Sequence, residues 1–410
     1  MSMHRPSPFA TPNLDDAPRD VYHDGETRRT LRIGLVAPPV LRIPPQRYAG
    51  TERIVAALAD GLVARGHHVT LFASGDSTAG SETVAVVPTA AWHGRSTGDT
   101  STFGMLAAMK ALEHAERFDL LHSHVDVMSL PLVRQSPVPV LTTFHARLDL
   151  PGLFEAVRAF GKAPLVAISQ SQRRWHPDAN WVATIPHGLP LRAMPFSSRT
   201  GEYLAVVGRA APEKGIAEAI EVAKASSIPL RIAAKALDPA EHAYVDTYIR
   251  PALGDDVRFL GELGPDERDP LLAGALATLM LGAWPEPFGL VAIESLATGT
   301  PVIARRAGAL PEIVEHGIDG FLVDDLAEAT LAVSLVADLD RARIRERAIA
   351  RFDVDRMVTA YERLYHILIE EGAGKGTRDR LTGSGSPSEP RPLVGIRVGG
   401  ADAEHDGRHP

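Results

Sequence analysis

Two glutamates, Glu286 and Glu294, stand eight positions apart in the stretch W-P-E-P-F-G-L-V-A-I-E-S-L-A-T-G-T-P-V-I, Trp284 to Ile303. Pro285 and Pro287 fix φ on both sides of Glu286, so its carboxylate is aimed rather than mobile. Glu294 sits among Val291, Ala292, Ile293, Ser295 and Leu296 at helical spacing. A charge on so apolar a helix is costly unless it has partners. Gly289 allows a tight turn before that helix, and the helix N-terminus offers free N–H groups to an anionic or hydroxyl-rich ligand. Two cations, Arg209 and Lys214, lie on the turn V-G-R-A-A-P-E-K-G, 207–215. An arginine can grip a diphosphate through two parallel bonds, and a lysine adds a point charge. His145 stands in T-F-H-A-R-L-D, 143–149, at the carboxyl tip of an apolar run.

Alternating apolar runs and helical patterns position these groups. Strands are expected at 31–37, 69–73, 119–122, 138–142, 164–168 and 181–185, with helices at 51–65 and 103–117. After a break at 186–200 the alternation restarts: strands at 203–207, 230–234, 257–260, 277–281 and 301–304, helices at 215–227, 239–250, 265–274 and 290–298. Such alternation implies parallel sheets covered by helices. The fold class is therefore α/β, with two Rossmann-like doubly wound domains facing a cleft. Ligands of open α/β sheets sit outside the carboxyl ends of the strands, where the unusual residues fall. Residues 1–30 and 372–410 are poor in apolar residues and are expected to be disordered tails.

Composition narrows the class. The chain has 410 residues, 45% hydrophobic and 23% charged, with a net charge of −8 and no cysteine. Disulfides, thiolate metal sites and a cysteine nucleophile are excluded. The charge argues against nonspecific nucleic-acid binding. The longest apolar run, Leu271 to Trp284, is too short to span a bilayer, and no apolar leader opens the chain, so a cytoplasmic protein is expected. The turn at 207–215 lacks the order of a P-loop, and no G-x-G-x-x-G supports a nicotinamide enzyme. His122, His124 and Asp126 could suggest a metal, but they share one short turn with no second cluster. Asp338/Asp340 and Asp353/Asp355 read as surface charge. No metal and no cofactor are expected.

The 284–303 stretch resembles the E-x7-E segment of family 4 retaining glycosyltransferases of the GT-B fold. Residues 207–215 resemble the family's G-R-x-x-x-x-K-G, and 143–151 its T-x-H-G-R-L-D-L-P with Ala146 for glycine. Ala49-Gly50-Thr51-Glu52 resembles its G-G-T-E donor loop with Ala49 for the first glycine, a change expected to strain the loop if that position needs positive φ. Ser169 to Arg173 and His187-Gly188 also look like family segments, with structural or interdomain roles expected. Ala307 to Glu312 is similar to the family's G-x-x-P-E turn. The resemblance implies transfer of a hexose from a nucleotide-diphosphate sugar, with retention and without metal. It implies that Arg209, Lys214 and the N–H groups near Gly50 and Gly289 hold the leaving diphosphate. Glu294 would take the ribose hydroxyls, Glu286 the sugar hydroxyls, and His145 would approach the anomeric centre. Phe288 and Leu290 complete the implied donor site, and Lys235 lies near the nucleotide. The acceptor, a small molecule or glycan, would bind the first domain, 31–190. The second, 191–352, would bind the donor, and a helix at 353–371 would cross back onto the first. An epimerase, hydrolase or phosphorylase on the same scaffold, or a non-catalytic nucleotide-sugar binder, remain alternatives.

Overall fold

The computed structural model describes residues 29–47, 49–91, 100–150 and 152–382. Its strands form two parallel sheets. The first holds β1 (Arg32–Val36), β2 (His68–Ser74), β3 (Glu82–Val87), β4 (Leu120–Ser123), β5 (Val140–Thr143), β6 (Leu165–Ala167) and β7 (Trp181–Thr184), in the order β3-β2-β1-β4-β5-β6-β7. The second holds β8 (Leu204–Arg209), β9 (Leu230–Lys235), β10 (Val257–Phe259), β11 (Ala277–Met280), β12 (Val302–Arg305) and β13 (Gly320–Val323), in the order β10-β9-β8-β11-β12-β13. Strand order reverses beside β1 in one sheet and beside β8 in the other. A crevice opens at each reversal, and the loops after β4, β5, β8 and β11 border it.

Helices α1 (Thr51–Ala64), α2 (Thr100–Glu113), α3 (Leu132–Gln135), α4 (Leu153–Ala159) and α5 (Gln170–Arg173) belong to the first lobe. The second carries α6 (Ile216–Ser226), α7 (Pro239–Tyr244), α8 (Pro265–Ala273), α9 (Leu290–Ala297), α10 (Leu310–Ile313), α11 (Leu326–Leu335) and α12 (Arg341–Phe352). Aspartates 238, 325 and 340 each cap a helix N-terminus by accepting a backbone N–H. The central strands are buried on both faces, which is why they read as continuous apolar runs rather than alternating ones.

Helix α13 (Val354–Thr382) returns to the first lobe. Its buried Met357, Val358, Tyr361, Leu364, Tyr365 and Leu368 share one apolar cluster with Val55, Leu58 and Leu62 of α1. The second lobe has a separate core around Val206, Ile220, Ile232 and Leu279. The helix runs further than its apolar spacing predicts, to Thr382, into the stretch expected as a tail from 372. The rest of both expected tails lies outside the described residues, apart from residues 29 and 30. Strands β3 and β13 and helices α3, α4, α5, α11 and α12 have no counterpart among the expected elements. β3 is a half-exposed edge strand with a weak pattern, and α12 is too rich in arginine to show an apolar stripe at a glance. The helix expected at 239–250 gives way after Tyr244 to a wide π turn, Val245–Ile249. No helix among the described residues is long and apolar enough to cross a membrane.

Candidate functional site

The second-lobe half of the site is a pair of loops. β8 ends at Arg209, a short turn carries Lys214, and Gly215 at φ 69° starts α6. Facing it, the loop after β11 carries Trp284 and Glu286. Lys214 Nζ lies 2.7 Å from Glu286 Oε2, and Trp284 Nε1 donates to the same oxygen at 3.0 Å. The backbone of this loop is held from behind. Gly289 sits at φ 113°, and a Cβ on Gly308 would fall 2.3 Å from the Glu286 nitrogen, so only glycine lets the two loops touch. Ala309 N–H donates to the Glu286 carbonyl at 2.9 Å. Arg209 is the neighbour of Lys235 across the β8–β9 register. Its guanidinium donates to Glu241 at 2.8 Å and also to Glu213. Burial lowers the Lys235 ammonium from its usual range, while Glu262, Glu52 and Glu241 oppose that shift. Both expected phosphate-gripping cations are therefore on the cleft side, and both are engaged by carboxylates in this state.

Glu294 is fully buried. Its Oε1 lies 2.5 Å from Arg53 of α1 and 3.0 Å from Arg268 of α8. These are ion pairs by distance, yet neither carboxylate oxygen has a hydrogen bond of good geometry. The carboxylate expected to face ribose hydroxyls is here closed off by an arginine of the opposite lobe. The hollow bounded by Lys214, Trp284, Glu286, Gly289 and Leu290 is only about 30 Å³. Small-molecule pockets run to several hundred cubic ångströms, so this second-lobe hollow alone does not hold a nucleotide sugar. Further bridges join the lobes: Ser169 Oγ donates to the Pro287 carbonyl at 2.7 Å. Gln170 and Ser171 N–H groups donate to the Glu312 carboxylate at 2.8 and 2.6 Å. Arg47 pairs with Glu262 at 3.3 Å. A larger hollow of about 770 Å³ lies at the hinge, against His187, Phe288, Phe352 and Arg356, away from the Lys214–Glu286 pair.

The first-lobe half is a row of aromatic rings. His145 Nε2 lies 2.8 Å from His124 Nδ1. The His145 ring stacks on His187 with centroids 5.0 Å apart, and His187 meets the edge of Phe288 at 5.1 Å. The other way, the His124 ring lies 4.1 Å from that of His122. His122 is held by Tyr365 Oη at 2.7 Å and Thr143 Oγ1 at 2.8 Å. Asp126, itself at φ 47°, accepts the His145 backbone N–H at 2.9 Å. Burial pushes the Asp126 carboxyl up to about 6 and the His145 ring down to about 3. Burial also holds His122, His124 and His187 well below the usual histidine range. Among the described residues no group of three or more His, Asp or Glu is arranged to hold a metal.

Among the described residues Asp126 and Ser227 are the non-glycine residues at positive φ; Ala49 follows Tyr48, which lies outside the described residues. Gly50 caps α1 at φ −83°, ψ −65°, and a Cβ there would meet Leu290 at an ordinary 3.6 Å. Phe288 packs its ring edge-on against His187 and Phe352 at the hinge. Sequence reasoning missed Arg53, Arg268, Glu213 and Glu241, because charged residues on helices near strand tips carry no distinguishing local pattern. Trp284 was within the quoted stretch, and its indole N–H two residues from Glu286 was the available signal.

Comparisons with known proteins bear on the family and the fold. The family model described as Glycosyltransferase Family 4 matches residues 48–191, and that described as Glycosyl transferases group 1 matches 192–350. The phosphatidyl-myo-inositol mannosyltransferase of Mycobacterium tuberculosis is 26% identical over 379 residues, covering 84% of this chain and 98% of that protein. The D-inositol 3-phosphate glycosyltransferase of Corynebacterium efficiens is 36% identical over 171 residues, 38% of each chain. Among solved structures, AviGT4, a glycosyltransferase involved in Avilamycin A biosynthesis, superposes with a TM-score of 0.64 at 25% identity, covering 83% of this chain and 98% of its own. Sucrose-phosphate synthase from Thermosynechococcus elongatus has the same fold, with a TM-score of 0.67 at 22% identity over 84% of this chain and all of its own. Two abutting family matches and a two-lobed fold with its charged loops at the strand tips lead to one assignment: the chain belongs to the family 4 glycosyltransferases of the GT-B fold.

Proposed function

We propose that the protein transfers a hexose from a nucleotide-diphosphate sugar to an acceptor hydroxyl, with retention of configuration, without metal, and in the cytoplasm. The observation that carries this reading is the convergence of Lys214, Trp284 and Glu286 at the start of α9. It sets a cation and free helix N–H groups beside a fixed carboxylate, a setting for a diphosphate linked to a sugar. The buried Glu294, with no good hydrogen bond to either oxygen, is suited to accept both donors of a ribose diol once Arg53 withdraws.

Cleavage of the C1–O bond builds negative charge on the leaving diphosphate. Lys214 and Arg209 stabilise that charge after exchanging their carboxylate partners for phosphate oxygens. The leaving phosphate oxygen then takes the proton of the acceptor hydroxyl on the same face, which returns the original configuration. No side-chain nucleophile is needed. Relatives whose names place inositol compounds among their substrates make a polyol a suitable first acceptor to try.

A thermal-shift screen of nucleoside diphosphates identifies the base, and turnover of the matching nucleotide sugars then follows, with chelator present. Transfer with retained anomeric configuration, seen by proton NMR, is the expected result. Rapid epimerisation or hydrolysis of the donor with no acceptor present would replace this reading with a non-transferring one.

A further inference from the structure

The family resemblance puts His145 near the anomeric centre but gives no role to the rings behind it. Those rings form a continuous column from α13 to the cleft: Tyr365, His122, His124, His145 and His187. His122 has a hydroxyl on each nitrogen, so its needs are met within the column. His124 and His145 share one hydrogen bond at 2.8 Å, and two ring nitrogens of that pair are buried without partners: His124 Nε2 and His145 Nδ1.

Two neutral arrangements are open to this pair. If His145 donates from Nε2, His124 must carry its proton on Nε2, inside the lobe, where only 1% of the residue is exposed and nothing accepts. If His124 donates from Nδ1, the deep nitrogen is a bare lone pair, and the unmet N–H moves to Nδ1 of His145, a buried atom on a residue that is itself only half-buried. Either arrangement leaves one buried donor and one buried acceptor unmet, so the choice turns on which donor lies nearer the cleft. His145 is the more exposed member of the pair, so a donor on it is the one that an arriving sugar can satisfy once the lobes part. Asp126 fixes the same residue from the other side by accepting its backbone N–H.

We propose that His124 is a positioning residue: it donates its Nδ1–H to His145 Nε2, and so presents His145 to the donor sugar as a neutral Nδ1–H donor. This rests on the transferase reading. The packing gives the arrangement a second purpose. Four imidazoles within ring contact cannot easily share a charge, and burial holds each of them below its usual range. A neutral His145 can hydrogen-bond a sugar oxygen without setting a positive charge beside the anomeric carbon as that carbon itself becomes positive.

The test begins with long-range nitrogen–proton NMR on histidine-labelled full-length protein. His145 should appear as the Nδ1–H form, still unprotonated at pH 5.5; an Nε2–H form, or an imidazolium at that pH, overturns the proposal. Activity supplies the second arm. His124→Phe keeps the packing and removes the donor, and should lower kcat about 10- to 100-fold with KM for the donor little changed. His124→Asn places an amide N–H where Nδ1 stood and should recover most of that loss. Equal loss in the Phe and Asn variants, or a fall in thermal stability with kcat intact, means a packing role only and overturns it. If no nucleotide sugar is turned over by the wild type, the transferase reading fails, while the NMR arm still decides the tautomer.

Discussion

At the scale of single residues, Lys214 is the most exposed to test. Its ammonium is the nearest cation to Glu286, so Lys214→Ala should cost about 100- to 1,000-fold in kcat, read in a donor turnover assay. Glu294 behaves differently, because it is also structural. Removing it takes from Arg268, only 3% exposed at its side chain, one of its close carboxylates. Glu294→Ala should therefore destabilise by about 3 kcal/mol or more, seen as a lower Tm, and should also abolish the thermal shift given by the matching nucleoside diphosphate. The histidine column sets a pH response. Each ring titrates lower in the folded chain than in the unfolded one, so the unfolded chain takes up protons first as the pH falls below about 6.5. Stability is fully present above that pH and should fall below it, by roughly 1.4 kcal/mol per pH unit for each ring well below 6.5. Asp126 acts in the opposite sense between about 6 and its usual range, but it is one group against four. Denaturant melts at pH 7.5 and 5.5 check the sign: a more stable protein at pH 5.5 would contradict the buried neutral column. Glu286, Glu294, Arg209, Lys214 and His145 could be read from the chain because proline, glycine and strand-tip position mark them. Their partners could not, since Arg53 and Arg268 reach Glu294 from helices far away in sequence.

At the scale of elements, the buried central strands and the helices with a clear apolar stripe were legible, because burial on both faces leaves long apolar runs. What escaped were the edge strands β3 and β13, the helices α3, α4 and α5, too short to show a helical period, and helices α11 and α12. The loop carrying Glu286 owes its shape to a second loop that sequence spacing does not reveal. Gly308→Ala would drive a methyl into the Glu286 backbone, and no flexible side chain can yield there. Activity should fall at least as far as in Lys214→Ala, with a Tm loss of several degrees; near-wild-type turnover would show that the loop needs no such support. Gly50→Ala meets only the end of the Leu290 side chain and should keep its fold, which makes it a control for the other glycine.

At the scale of the whole molecule, the two lobes are bridged by charge pairs that cross between them, and the hollow beside Lys214 and Glu286 is too small for a nucleotide. Donor entry requires opening. Arg53→Glu puts two carboxylates face to face at Glu294 and should widen the ligand-free protein, measured as a larger radius of gyration by small-angle scattering; an unchanged profile would mean the pair does not hold the lobes. The return of α13 has a separate consequence for biosynthesis. Nascent domains usually fold in the order in which they leave the ribosome. Here the first lobe emerges before the second, yet Tyr361, Tyr365 and Leu368, which fill its interior, are made only after the whole second lobe. The lobe made first should therefore be the last to become protease-resistant, and chains arrested after residue 353 should be cut in it while the later-made lobe survives.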